Sequence, residues 1–221
     1  MRMQRVTDLS HHLSPDREPR RLHLKPTQTL ETSFMNEFEV EMNAHIGTHV
    51  EGPFHCLADG KTIDAVPPDR FVGEAAVVDL TTKNATNRTI TEHDLSVAGS
   101  HIKDGDIVLL KTGYDDEFPV EDVQSEEYMA QSPYLTPQAV EWLIKKKIKL
   151  LGIDFWSIEP FPIDSREGEK GHIALFMHEI PLIHSLVNLI QLASDRVFFV
   201  ALPLPIKGLD SSPVRAVAIE M

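Results

Sequence analysis

The stretch Phe38-Glu-Val40-Glu-Met42-Asn-Ala44-His45-Ile-Gly47-Thr-His49-Val-Glu51-Gly52-Pro53-Phe54-His55 carries most of the information in this chain. Its first part alternates apolar with polar residues, the period of a half-buried strand. Its second part holds three imidazoles and a carboxylate, at His45, His49, Glu51 and His55. Neutral imidazole nitrogen and carboxylate oxygen are the ligands that borderline divalent ions such as Zn²⁺ or Mn²⁺ accept. Gly47, Gly52 and Pro53 lie among them, which predicts a shaped loop rather than a helical face. Such a loop can gather several side chains at one point, and a strand end is a rigid place from which to present the first of them. Solvated histidines on an exposed loop would leave the two glycines without a reason. The pattern therefore points to a metal site, and to hydrolysis as its chemistry.

The rest of the composition is that of an ordinary globular chain. Its 221 residues fit one domain, 1–221, with length enough for a real core. A net charge of −13 argues against nucleic acid, which wants a basic stripe, and against an anionic membrane surface. No apolar run approaches the roughly 18 residues a membrane span needs. Cys56 is the only cysteine, so no intrachain disulfide can form. A reducing cytoplasm is the expected setting, and the opening residues show no apolar core of a secretion signal.

Short apolar runs at 75–80, 107–110, 150–154, 197–202 and 214–219 read as buried strands. Thr136-Pro137 is an N-cap followed by proline at the first helical position, and Val140, Leu143 and Ile144 form the apolar stripe of the helix. Thr91 with Asp94 predicts a second helix over 92–98, and a third is expected over 172–177. The expectation is an α/β protein with a mixed sheet. Residues 115–135 read as an acidic, exposed loop, a solvated connection or a lid.

Other chemistries lack their motifs. There is no GxxxxGK[ST] or GxGxxG phosphate cradle and no GxSxG nucleophile elbow. His178-Glu179 is followed by Pro181, which would break a zinc-binding HExxH helix. Cys56 beside His55 is a poor nucleophile pair, because neighbours in an extended segment point apart. Further along, His172 and His184 stand twelve residues apart as candidate partners of the loop. His11 and His12 are ambiguous, and His93 and His101 read as surface residues.

At this point the chain resembles the cyclase/kynurenine formamidase superfamily of metal-dependent hydrolases. The superfamily signature is HxGTHxDxPxH, and residues 45–55 match every specified position except one. Thr7-Asp-Leu-Ser-His11, Gly105–Gly113, Leu150–Ser157, Leu202–Gly208 and Pro213–Ala218 are family-like as well. The resemblance implies a swivelling β/β/α fold and a homodimer or homotetramer. It implies one or two divalent ions, Zn²⁺ or Mn²⁺. Carried over by position, His45, His49 and Glu51 are metal ligands, His172 matches a later ligand, and His55 is the catalytic proton-transfer residue. Two positions depart from the pattern: Glu51 stands for an aspartate, and His184 for a glutamate. Exchanging one carboxylate for an imidazole lowers the negative charge available to two dications, so a single ion or a rearranged pair is expected.

The implied activity is hydrolysis of an amide, formamide, lactone or ester by metal-activated water. Two alternatives are a lyase, isomerase or cyclase using the same site, and a non-catalytic relic. Phe54, Phe155, Trp156 and Phe161 are candidates for the lining of an apolar pocket for a small-molecule substrate, or for the core.

Overall fold

The apolar runs of the middle of the chain form the centre of a nine-stranded sheet. The computed structural model describes residues 5–15, 20–82, 88–118 and 125–220. Its strands are β1 (Arg5–Asp8), β2 (Leu22–Gln28), β3 (Glu37–Met42), β4 (His49–Glu51), β5 (Val72–Asp79), β6 (Thr89–Ile90) and β7 (Ile107–Lys111). They continue with β8 (Tyr134–Leu135), β9 (Leu150–Ile153), β10 (Leu182–His184), β11 (Arg196–Val200), β12 (Ser211–Pro213) and β13 (Val217–Glu220). The helices are α1 (Glu92–Ala98), α2 (Tyr114–Glu117), α3 (Glu126–Gln131), α4 (Pro137–Lys145) and α5 (Lys170–Met177).

The main sheet runs β1-β13-β11-β5-β7-β9-β10-β4-β12. The four strands β5, β7, β9 and β10 are mutually parallel, and the flanking pairs are antiparallel. The fold is thus mixed α/β, as the sequence led one to expect. β5, β7 and β9 are nearly continuous apolar runs because both faces of the sheet are covered. Ala76, Val78, Val108, Leu110, Leu151 and Ile153 pack under α1, α4 and α5. Ala75, Val77, Ile107, Leu109 and Leu150 face a second core with Phe71, Leu186, Leu189 and Val214.

The helix signals hold. Thr91 and Asp94 form a reciprocal capping box on α1, and the Thr136 side chain accepts from Ala139 N at the start of α4. α5 begins two residues before His172 and takes in Gly171.

Four local expectations change. The segment 115–135 is not an open exposed loop. It contains α3 and most of α2, and it buries Asp115 and Tyr128, while 119–124 lie outside the described residues. The strand before His45 is real but not half-buried. β3 pairs only with β2, and both of its faces are exposed. The registers Leu22↔Met42, Leu24↔Val40 and Pro26↔Phe38 put all the apolar side chains on one face of this hairpin. The metal-type loop, in turn, is partly strand: β4 lies inside the sheet between β10 and β12. Finally, only one of its two glycines needs its freedom. Gly47 has φ +55° and no room for a Cβ against Leu13, whereas Gly52 has an ordinary φ of −112°.

Among the described residues no helix is long and apolar enough to cross a membrane.

Candidate metal centre

β4 explains how the side chains meet. Alternation along a strand puts His49 and Glu51 on one face and sends Val50 into the core on the other. β10 runs antiparallel beside it with His184 directly opposite His49. On the other edge β12 is paired so that Ser211 faces Glu51, which delivers Asp210 to the strand's end. α5 lowers His172 onto the same point, and the single 3₁₀ turn Pro53–His55 brings His55 back over it. Glu51, His49, His172 and His184 are buried, and His45 and His55 stand at the mouth.

Glu51 lies at the centre with one oxygen on each side. Its Oε1 is 2.7 Å from His45 Nδ1 and 3.4 Å from His49 Nε2. Its Oε2 is 3.2 Å from His184 Nε2, 3.4 Å from His172 Nε2 and 3.8 Å from His55 Nε2. That buried Oε2 has no hydrogen bond of ordinary geometry. Burial raises the Glu51 pKa, but the surrounding imidazoles, His184 first among them, hold it well below the carboxylate range.

Each imidazole turns one nitrogen inward and the other toward an acceptor, by a hydrogen bond in every case but His172, whose Nδ1 meets its carboxylate as an ion-pair contact. His49 Nδ1 donates to Gly47 O at 2.7 Å, and His184 Nδ1 donates to Trp156 O at 2.9 Å. His172 Nδ1 lies 2.5 Å from Glu159 Oε2, while its backbone N–H donates to Glu159 Oε1. His45 Nε2 and His55 Nδ1 both lie 2.8 Å from Asp210 Oδ2. Outer acceptors of this kind orient metal-binding histidines.

The donors pass a geometric test for an ion. Two nitrogens at 2.0–2.1 Å from a tetrahedral centre stand about 3.3 Å apart. The His172 and His184 Nε2 atoms are 3.3 Å apart, with parallel rings, and Glu51 Oε2 completes a triangle of nearly equal edges. A carbonyl holds the proton on His184 Nδ1 and a carboxylate faces His172 Nδ1. Two imidazole lone pairs aimed at each other need a cation or a proton between them. His45, His49 and Glu51 form a second, less regular set.

The charges are unequal. Burial holds His49 neutral, with its pKa lowered to about 4. Burial opposes protonation of His172 too, but Glu159 and Glu51 outweigh it and push the value up to about 10. In His45 burial is likewise overcome, by Asp210 and Glu51, and the value rises to about 9.

All six residues singled out in the sequence converge here. Glu159, Asp210 and Arg20 were not singled out. A cavity of about 270 Å³ opens over the cluster, and Arg20, Trp156, Ile163, Glu169 and Ser185 line it as well. Of the four candidate aromatics only Trp156 lines it. Phe161 packs edge-on against Trp156, Phe155 is in the core, and Phe54 faces solvent.

A cluster of five inward imidazole nitrogens around one carboxylate carried on β4, beneath an open cavity, defines a metal-dependent hydrolase type of site. The comparisons agree. The family profile described as "Putative cyclase" matches residues 7–160, and the chain belongs to that family, with kynurenine formamidases among its relatives. The kynurenine formamidase of Bacillus mycoides is 31% identical over 186 residues, covering 83% of this chain and 79% of that protein. A solved structure described as a potential metal-dependent hydrolase with cyclase activity is 26% identical, with a TM-score of 0.73 over 99% of both chains. Isatin hydrolase A from Ralstonia solanacearum shares the fold, with a TM-score of 0.83, 24% identity, and coverage of 99% of this chain and 92% of that one.

Proposed function

We propose that this chain hydrolyses a C–N amide bond, an aryl formamide being the favoured class, with Glu51, His172 and His184 as the principal metal ligands. The single observation that carries this reading is the near-equilateral donor triangle beneath the cavity. His45, His49 and the other oxygen of Glu51 would hold a second ion, which favours the rearranged pair among the two arrangements, single ion or rearranged pair, expected from the charge balance. The donor set, imidazole with carboxylate, suits Zn²⁺ or Mn²⁺. A divalent ion held there supplies an activated water and polarises the substrate carbonyl.

The chain's own groups do the rest. His55 reaches into the cavity with Nε2, the nitrogen not engaged by Asp210, takes the proton that the attacking water releases and passes it to the leaving amine. Trp156 offers a flat wall for an aryl ring. The exposed apolar face of the β2–β3 hairpin supports assembly into a homodimer or homotetramer. The lone Cys56 fits a cytoplasmic setting.

The test is elemental analysis of protein purified with zinc or manganese, followed by turnover of an aryl formamide in ¹⁸O-labelled water. At least one divalent ion per chain and label in the acid product are expected. Absence of metal under replete conditions overturns the reading, and unlabelled product replaces hydrolysis with a lyase or isomerase reaction.

A further inference from the structure

We propose that Asp210 is a positioning residue that fixes the tautomers of two histidines with one oxygen: His45, a ligand, and His55, the proton carrier. The inference rests on the roles given to those two histidines above and extends them to a residue outside the signature.

The geometry is specific. Asp210 Oδ2 lies 2.8 Å from His45 Nε2 and 2.8 Å from His55 Nδ1, and the two rings are 4.8 Å apart. An ionised carboxylate only accepts, so the hydrogens must sit on His45 Nε2 and His55 Nδ1. The opposite nitrogens are then the ones left for the centre. On His45 that atom is Nδ1, 2.7 Å from Glu51 Oε1; facing a second carboxylate it carries a hydrogen as well, and would give that hydrogen up only to an ion bound between them. On His55 it is Nε2, which faces the cavity and can take up a proton. His49, His172 and His184 each have an acceptor of their own, whereas these two share one.

The backbone holds Asp210 in place for this task. Its carbonyl accepts from Gly52 N at 2.9 Å, immediately beyond β4, and Leu209 O accepts from Ile63 N at 2.8 Å. Gly208 N donates to Asp64 Oδ1 on the far side of the turn. The loop before β12 is therefore pinned to the same strand that carries His49 and Glu51. Burial contributes less, because about 30% of the Asp210 side chain is exposed.

The experiment compares wild type, Asp210→Ala and the isosteric Asp210→Asn, all zinc-loaded. Two readouts are taken: zinc affinity by chelator competition, and the ring tautomers by ¹⁵N-histidine NMR. Wild type should show His45 protonated at Nε2 and His55 at Nδ1. Asp210→Ala should weaken zinc by roughly 10–100-fold, the usual cost of losing an outer partner. It should also return His55 to the Nε2–H form, with Asp210→Asn intermediate in both readouts and folded by circular dichroism. Unchanged tautomers, or zinc affinity within twofold of wild type in both variants, would overturn the proposal. His45→Ala separates the two readings. If it leaves zinc affinity untouched, the ligand role of His45 fails; if it weakens zinc while Asp210→Ala does not, only the role of Asp210 fails.

Discussion

His184 stands directly across from His49 on neighbouring antiparallel strands, their rings stacked 5.1 Å apart and inclined by only 9°. Both inner nitrogens face the carboxylate of Glu51, His49 toward Oε1 and His184 toward Oε2. Glu51 and His184, the two positions where the resemblance led one to expect an aspartate and a glutamate, are thus in contact with each other.

That contact makes His184 a point of failure. His184→Ala removes one corner of the donor triangle and should lower zinc affinity by roughly 100-fold, a loss of ligation that chelator competition reads directly. Glu51→Gln keeps the shape but removes the only carboxylate of the triangle, and an equal or larger loss is expected.

His55 should separate chemistry from binding. His55→Ala is expected to lower kcat on an aryl formamide by about 10²–10⁴. Zinc content should stay at the wild-type level, because Glu51, His172 and His184 are untouched. A parallel fall in zinc content would make His55 a ligand instead.

The pH dependence of the metal-free protein follows from the raised imidazoles. His45 and His172 titrate at about 9 and about 10 in the folded chain, against about 6.5 when unfolded. Their contribution to stability is complete below pH 6.5 and is lost as pH rises through 9–10. Glu51, depressed, contributes above its unfolded value of about 4.5 and loses that contribution as pH falls through its folded value. In excess chelator, Tm should therefore decline from pH 6.5 toward pH 10, and it should also fall below pH 6.5, because His49, held neutral by burial at about 4 in the folded chain, binds a proton more readily when unfolded. Added zinc must displace the same protons, so the gap between loaded and chelated Tm should widen from pH 6.5 to 9. A gap that narrows over this range would refute the assignment.

Gly47→Ala tests the backbone beneath the site. At φ +55° an alanine pays roughly 1–2 kcal/mol, and its Cβ would also overlap Leu13. Urea unfolding should show at least that loss. Gly52→Ala, with its ordinary φ and a contact of 3.3 Å to Ile63 Cδ1, should cost less.

The hairpin can be tested without touching the centre. Phe38 and Val40 are each 53% exposed on its apolar face. Val40→Lys should shift the proposed assembly toward monomer in light scattering while leaving the monomer's stability within about 0.5 kcal/mol, and a wild type that is already monomeric refutes the assembly.

The sheet and the site were legible to different depths. β5, β7 and β9 announced themselves because strands buried on both faces need continuous apolar runs. α1 and α4 announced themselves by their caps. β3 misled because alternation reports a two-sided strand, not what covers its apolar side, and here only solvent does in the described chain. β4 was hidden: three residues, two of them polar, sit in a strand whose inner face is a site rather than a core. His45 to His55 were readable as a cluster through local spacing. Asp210 and Glu159 were not, because an acceptor behind an imidazole needs no fixed offset from it, and Leu209-Asp210-Ser reads as turn chemistry.

The order of the strands bears on how the protein comes into being. β4 takes its partners from β10 and β12, and β1 closes against β13, so the N-terminal signature is clasped by segments near the end of the chain. His45 and Asp210 are 165 positions apart. During translation the signature emerges early and waits, its imidazoles without their strand neighbours, until almost the whole chain has left the ribosome. Contacts of such long range are formed late and slow the folding rate. Assembly of the donor cluster therefore belongs to the last stage of folding, and C-terminal truncation before residue 210 should yield a chain that takes up no zinc in chelator competition.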